Sequence, residues 1–595
     1  MTSPLYRSLP LPNDKTDIRL LSLLPAAGQS APVICHLSTV ALADAQNTYE
    51  ALSYHWCGPV DRSILVNDIE VSINTNLFDA LIALRRNDQP RTLWIDAICI
   101  DQESNAEKGE KCHQIRLMRD IYQKSTQTVA WLGLAADGEA GTHLVPDFIQ
   151  TLLQVKRKME SDDRIKALWS HDGYYVPMSE EYEILGIPEK KHPGYRALAD
   201  MFLRDWWKRM WVIQEVSVAP KAMLQCGQYC FDMAEVISAG DLVWLLNSDV
   251  LEATDFRFSS TGDQRNKEVR GVRDNLLALV IDHLESRASW PHDKIYGLCG
   301  LAHDAGPDGL DMTFDYTKTP HEVYTNFARS VLRTYGNLDI LSALSVPKMT
   351  EGRAQSLPSW VPNWQAIESN PNRIYQRPRS FHIAGDFQVL FTATNASVSE
   401  PKFGPDGKSM CLEGHILDSI ARVGSIQPMN LELEATIKIL LEWRNNVARC
   451  NSRWRYSPTK QLMVDVFYHT ITMANCLNHL KTPVEQYRRF DRILISRPDA
   501  TDDSLWLLED VRSISIATYI GGNRRLSRTK KGYLALVPGE TKVGDKVGLF
   551  KGGALPLVVR KVDGGVWEMV GDSYVHGVMM GEAYDKTKLK EFWFI

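Results

Sequence analysis

A chain of 595 residues exceeds what one hydrophobic core organises, so two or three domains are expected. Its 44% apolar and 24% charged residues are globular proportions and argue against a disordered chain, while a net charge of −6 argues against a broad nucleic-acid-binding surface. No run of about 18 apolar residues occurs, so no membrane span is expected; the ten scattered cysteines and the absence of a secretory signal pattern predict a reducing, cytoplasmic setting.

Taken in chain order, Arg19-Leu-Leu-Ser-Leu-Leu and Val33-Ile-Cys-His-Leu read as strands, and Glu50-Ala-Leu-Ser-Tyr as a central strand because its apolar run is nearly continuous. Ile64-Leu-Val and Val71-Ser-Ile flank Asn67-Asp68, a hairpin signal. Asn76 suits a helix N-cap, with Leu77, Leu81 and Leu84 on one face and Arg85 and Arg86 at the C-terminal end. Leu93-Trp-Ile-Asp is a short buried strand. From Glu110 to Lys124, Ile115, Met118, Ile121 and Tyr122 share a helical face, and Thr128-Val-Ala-Trp-Leu is the next strand. This alternation predicts an α/β N-terminal domain, a partly parallel sheet flanked by helices.

That first domain is expected over residues 1–345, with an insertion at about 134–193. Within it, 195–202, 206–218 and 270–285 read as helices and 248–266 as a loop; a further helix, 321–335, stops at Gly336. Pro358, Pro362, Pro371 and Pro378 with Trp360 and Trp364 predict an extended connector over 346–385. The remaining residues, 386–595, read as a mixed α+β region: strands over 387–417, helices over most of 430–482, and a small β-rich C-terminal domain at 532–595, a barrel or sandwich.

Strong catalytic signatures are missing. Ser53 lacks a Gly-x-Ser-x-Gly elbow, and neither a Walker loop nor a Gly-x-Gly-x-x-Gly turn occurs. Cys57 could act as a nucleophile with His55, but Cys99, in an apolar strand, reads as core. Cys226 and Cys230 have no second ligand pair nearby, so no metal is expected. The better candidates are carboxylates delivered by apolar elements. Asp96 follows Leu93-Trp-Ile, and Asp101 and Gln102 could border the same crevice. Glu215 sits in the apolar helix Trp211-Val-Ile-Gln-Glu-Val, where burial requires a partner or raises its pKa. Plain structural roles stand beside each: Asp96 as a turn cap, Glu215 as the ion-pair partner of Arg209. His576 reads as a packing histidine.

The ordered strings Tyr49-Glu-Ala-Leu-Ser-Tyr-His-Trp, Leu93-Trp-Ile-Asp-Ala-Ile-Cys-Ile-Asp-Gln, Val129-Ala-Trp-Leu-Gly, Arg209-Met-Trp-Val-Ile-Gln-Glu, Asp293-Lys-Ile-Tyr-Gly-Leu, Leu357-Pro-Ser-Trp-Val-Pro-Asn-Trp and Val575-His-Gly-Val-Met-Met-Gly-Glu-Ala resemble the fungal heterokaryon incompatibility (HET) domain family. That resemblance implies nonself recognition and programmed cell death, with self-association and partner incompatibility proteins as expected contacts. The Leu52-Ser-Tyr, Trp94-Ile-Asp and Trp211-x-x-x-Glu blocks resemble, more distantly, Toll/interleukin-1 receptor (TIR) domains, whose enzymatic members cleave NAD with a glutamate. The resemblance implies a TIR-like fold, Glu215 as the catalytic carboxylate with Asp96 beside it, and Tyr54, Trp56, Trp211 and Gln102 as binding residues. NAD then enters as substrate; no cofactor is implied. A non-enzymatic assembly protein whose HET domain binds partner incompatibility proteins is the alternative, and a regulatory scaffold without a death function a third.

Overall fold

The computed structural model describes residues 4–12, 16–28, 30–102, 109–163, 179–246, 257–306, 308–345, 357–365, 391–427, 433–450, 454–473, 484–496 and 523–595. The chain divides into two compact units, Met1–Ala305 with Met312–Thr319, and Gly306–Asp311 with Pro320–Ile595. The sequence expectation drew its boundary at 345; the helix Pro320–Tyr335 here belongs to the second unit.

The first unit is built on a nine-stranded mixed sheet. Its strands are β1 (Asp17–Leu23), β2 (Ile34–Ala41), β3 (Glu50–Tyr54), β4 (Arg62–Val66), β5 (Ile69–Ile73), β6 (Arg91–Trp94), β7 (Thr128–Trp131), β8 (Ala222–Cys226) and β9 (Tyr229–Asp232), in the spatial order β5-β4-β2-β1-β6-β3-β7-β8-β9. The centre, β6-β3-β7-β8, is parallel, and β1 and β9 join it antiparallel. Beyond Glu50, which opens β3 and pairs with Arg91, the polar residues of β3 and β7 are Ser53 and Thr128, both buried. From β3 the chain crosses to β6 on one side and then to β7 on the other, so the strand order reverses between β3 and β7. In open α/β sheets the crevice beyond the carboxyl ends at such a reversal is the usual ligand site.

Local signals explain most boundaries. The β4–β5 hairpin turns on Asn67 (φ 48°) and Asp68 (φ 62°), both left-handed as a two-residue type I′ turn needs. The helix after it spans Thr75–Leu84 and is capped by Asn74, whose side chain accepts from the Leu77 amide at 2.8 Å. The expected cap, Asn76, lies inside the first turn; it accepts from Trp131 Nε1 at 2.9 Å and donates to the His55 carbonyl at 2.7 Å. Two asparagines two residues apart are equally plausible caps until a tertiary partner claims one.

The expected loop at 248–266 needs correction. Residues 257–269 form the helix Arg257–Val269, while 247–256 lie outside the described residues. Its buried stripe is Phe258, Thr261, Gly262 and Gln264, with Gly262 so close to Ile237 that a Cβ would sit 2.8 Å from Cγ2. Hydropathy does not register a packing face made of small and polar groups. The expected helix at 270–285 shortens to Leu276–Asp282, because Gly271 turns at φ 71° and Asn275 starts a new helix by accepting from the Ala278 amide at 2.9 Å. The region 134–193 holds the helix Val145–Ser161, whose Phe148, Ile149 and Leu152 join the core around Trp206, Trp207 and Phe202; residues 164–178 lie outside the described residues.

The second unit carries the β-rich end. Its strands are β10 (Lys402–Phe403), β11 (Met410–Val423), β12 (Arg524–Thr529), β13 (Leu534–Pro538), β14 (Lys546–Phe550), β15 (Leu557–Lys561), β16 (Trp567–Asp572), β17 (Tyr574–Val575) and β18 (Lys590–Phe594). The path β14-β15-β16-β18-β11 closes because β11 also pairs with β14, which makes a five-stranded ring and removes the exposed edges. Of the strands expected over 387–417, residues 387–390 lie outside the described residues, and the rest reduce to β10 and the start of β11. Within 430–482, helices cover Leu433–Glu442 and Met463–Ile471, with a π-helical turn at Trp443–Ala448. Of the expected connector only 357–365 is described; there Trp360 and Trp364 are fully buried, and Trp360 Nε1 donates to the Lys408 carbonyl at 2.8 Å. Pro371 and Pro378 lie outside the described residues.

Ring closure depends on Gly414, where a Cβ would meet Phe550 Cδ1 at 2.5 Å and the Leu549 carbonyl oxygen at 2.7 Å. Because one contact is backbone on the partner strand, Gly414→Ala is expected to destabilise the second unit by about 1–3 kcal/mol. Chemical denaturation followed by tryptophan fluorescence checks this.

Candidate functional site

Alternation along β3 sends Ser53 to one face of the sheet and Tyr54 to the other. On the Ser53 face lies the short helix Trp211–Ser217, held to the sheet by Thr128 Oγ1, which donates to the Glu215 carbonyl at 3.0 Å. Helical side chains lean toward the N-terminus of their helix, so Glu215 reaches under β3 toward the carboxyl end of the sheet. Ser53 Oγ donates a short hydrogen bond to Glu215 Oε2, and Trp206 Nε1 donates to Ser53 Oγ at 2.8 Å.

Glu215 is 1% exposed. Arg209 Nη1 stands 3.9 Å from Glu215 Oε2 and is committed to the Tyr54 carbonyl. At that distance the ion pair is too weak to offset burial. Burial pushes the Glu215 carboxyl up to about 7, with the Asp96 charge pushing the same way and Arg209 and the Ser53 hydrogen bond pulling down.

Above this layer is a more open mouth. Asp96 follows β6 and opens the turn Asp96–Cys99; its Oδ1 accepts from the Ala97 amide at 2.7 Å and from Trp56 Nε1 at 3.2 Å. Burial raises the Asp96 carboxyl, and Arg209 is the strongest opposing influence. Gln102 Nε2 donates to the Asp96 carbonyl at 2.8 Å. Trp56 is 43% exposed and stacks over Tyr54 with ring centres 6.4 Å apart. Trp211, partly exposed, donates from Nε1 to Asp293 Oδ2 at 2.9 Å, and Tyr316 donates its hydroxyl to Asp293 Oδ1 at 2.7 Å. Lys111 Nζ lies over the rings of Trp290 and Tyr316, 5.7 and 5.6 Å from their centres, and its charge favours ionisation of both Asp96 and Asp293.

The six residues singled out from sequence therefore fall in one neighbourhood. Asp96, Trp56 and Gln102 are joined directly, Tyr54 backs Trp56 while itself buried, Glu215 is one layer beneath, and Trp211 stands at the start of the helix that carries Glu215. Ser53, Trp206, Asp293 and Lys111 were not singled out as members. Period-two alternation placed Ser53 on a different face from Tyr54, which was the available signal for it; the others depend on contacts between residues far apart in sequence, such as Trp206 with Ser53, Trp211 with Asp293 and Lys111 with Trp290. The cysteines stand aside. Burial pushes the Cys99 thiol up to about 12 and raises Cys57, while burial lowers His55, so none of these resembles an activated thiolate pair.

Residues 49–215 match the family described as Heterokaryon incompatibility protein (HET), and residues 514–595 match the Het-6 beta-barrel domain. The chain is 25% identical to "Heterokaryon incompatibility protein 6, OR allele" of Neurospora crassa over 694 aligned positions, covering 99% of this chain and 98% of that protein. No solved structure matches. Among the described residues no helix is long and apolar enough to cross a membrane. The HET match begins at β3 and ends on Glu215, and the barrel match takes in the strands that close the ring with β11. The chain thus carries one segment that matches the heterokaryon incompatibility (HET) family and, after it, one that matches the Het-6 β-barrel domain.

Proposed function

We propose that this protein is an effector of fungal nonself recognition whose α/β unit triggers cell death by cleaving the nicotinamide–ribose bond of NAD. The observation that supports this most is the convergence of Glu215 and Asp96 near the carboxyl ends of β3 and β6, beside the strand-order reversal, under the exposed ring of Trp56. In the reaction the C1′–N bond breaks and its electron pair passes to the nicotinamide nitrogen. Water then adds to C1′ and releases one proton to solvent, giving ADP-ribose. An ionised Glu215 stabilises the positive charge that develops on the ribose, Asp96 adds to that field, and Trp56 or Trp211 stacks on a ring of the substrate. The TIR resemblance supports the same assignment. Glu215 is covered by Ser53 and Trp206, so turnover requires this layer to open, and self-association is the event proposed to open it.

The same sealed geometry favours a second reading. A carboxylate held by Ser53 beneath the surface is also what a purely structural network looks like, with the mouth serving as a docking face for partner incompatibility proteins. Inducible expression in a fungal host separates the two. Under the enzymatic reading, cell NAD falls before growth stops; growth arrest with NAD unchanged leaves only the docking role.

A further inference from the structure

The second unit contains a recess of about 470 Å³ lined by Trp454, Arg455, Tyr456, Ser457, Met463, Arg528, Lys531 and Gly532. That volume suits one small-molecule ligand. Three walls are cationic, and among the described residues no carboxylate lines it.

The surrounding construction keeps these cations uncommitted to acid. Arg528 projects from β12, half-buried, and among the described residues its side chain forms neither a salt bridge nor a hydrogen bond. Burial lowers its pKa, and the charges of Arg449 and Arg422 push the same way. Arg455 gives one N–H to the Lys460 carbonyl and Lys531 Nζ donates to the Leu417 carbonyl, so both cations are held by neutral acceptors. The nearby carboxylates are otherwise engaged: Asp491 takes Arg444 at 2.7 and 2.9 Å plus the Tyr468 hydroxyl, and Asp418 accepts from the Lys531 backbone amide at 2.6 Å. Half-burying a guanidinium among like charges is unfavourable unless an anion completes the site.

Two backbone features hold this arrangement. The π-helical turn Trp443–Ala448 ends with Arg449 in the left-handed region at φ 53°, a conformation uncommon for a non-glycine residue. A second turn, closed by the Tyr456 and Lys460 amides and by the Met463 amide on the Trp454 carbonyl, presents Trp454 and Arg455 side by side. Trp454 is 51% exposed, an indole face at the edge of a cationic recess.

We propose that this recess binds a nucleotide, its base stacked on Trp454 and its phosphates held by Arg528, Arg455 and Lys531. Arginine forks match phosphate oxygens, and an indole accepts any base face, so the site selects for charge plus a planar ring. It lies within the second unit and does not depend on the reaction proposed for the first.

Isothermal titration calorimetry on the full-length protein, with ATP, pyrophosphate and adenosine as probes, tests it. ATP is expected to bind, with pyrophosphate and adenosine each about tenfold or more weaker. Arg528→Met and the exposed-site variants Arg455→Ala and Trp454→Ala should each weaken ATP by about tenfold, with thermal melts showing that the exposed variants remain folded. Pyrophosphate binding as tightly as ATP, with no effect of Trp454→Ala, would overturn the nucleotide assignment in favour of a bare phosphate site. ATP binding left unchanged by all three variants would overturn the location, and no binding by any probe would overturn the site.

Discussion

Glu215→Gln is expected to lower NAD cleavage by about 10²–10³-fold or more while making the first unit more stable at alkaline pH. Both effects come from one carboxyl. Its folded pKa of about 7 lies above the value of 4.5 expected when free, so the folded state holds this proton more tightly than the unfolded chain. That preference stabilises the fold fully below the unfolded pKa, and the contribution is lost as pH rises from about 4.5 through about 7. The interval corresponds to about 3 kcal/mol. Glutamine is neutral at every pH and can accept the same Ser53 hydrogen bond, so the variant should escape this loss. Denaturation midpoints of wild type and variant should therefore be close near pH 5 and separate near pH 9, the variant higher. Parallel pH curves would show that Glu215 is not held neutral by burial. Arg209 keeps the Tyr54 carbonyl in the variant, so the loss of its distant ionic neighbour subtracts little.

Arg19→Met should be the most damaging single change to the first unit. Arg19 is fully buried on β1, yet every edge of its guanidinium is engaged. Nε donates to the Leu9 carbonyl at 2.9 Å, Nη1 to the Cys99 carbonyl at 3.1 Å, and the Nη1/Nη2 fork grips Glu110 at 2.7 and 3.0 Å. The Tyr6 ring lies 5.0 Å from Cζ. Methionine fills much of the volume but leaves Glu110 facing a buried gap, and two carbonyls lose their donor. Breaking such a pair from one side costs about 3–5 kcal/mol, whereas removing both charges costs much less. The double variant Arg19→Met, Glu110→Gln is therefore expected to recover part of the loss in urea denaturation; equal instability of single and double variants would place the damage in packing instead. The consequence reaches function, because Glu110 also accepts from the Asp101 amide at 2.9 Å and begins the helix that carries Lys111 to the mouth.

What the sequence disclosed follows from the range of the forces involved. The parallel centre was legible because β3, β6 and β7 are short apolar runs separated by a periodic helix, and the β4–β5 hairpin because Asn67-Asp68 has a local backbone requirement. The pairings of β11 with β14 and with β18, which close the ring, join segments more than a hundred residues apart, and no local pattern encodes them. Asn76 was misplaced as a cap because its partner, Trp131, comes from another strand. Glu215 was legible because a charge in an apolar helix stands out. Its setting was not: Ser53 was set aside for lacking a nucleophile's elbow, although its role here is to hold the carboxylate, and Trp206 looked like any core tryptophan. Arg209 was named as a partner from proximity in sequence, and it stands 3.9 Å from Glu215 as the strongest influence opposing burial.

The most direct measurement of the central claim is nicotinamide release from NAD by purified wild-type protein, followed across pH in each size-exclusion fraction. The account predicts release concentrated in self-associated fractions and rising with pH as Glu215 ionises. No nicotinamide in any fraction, or release that Glu215→Gln leaves unchanged, would contradict it.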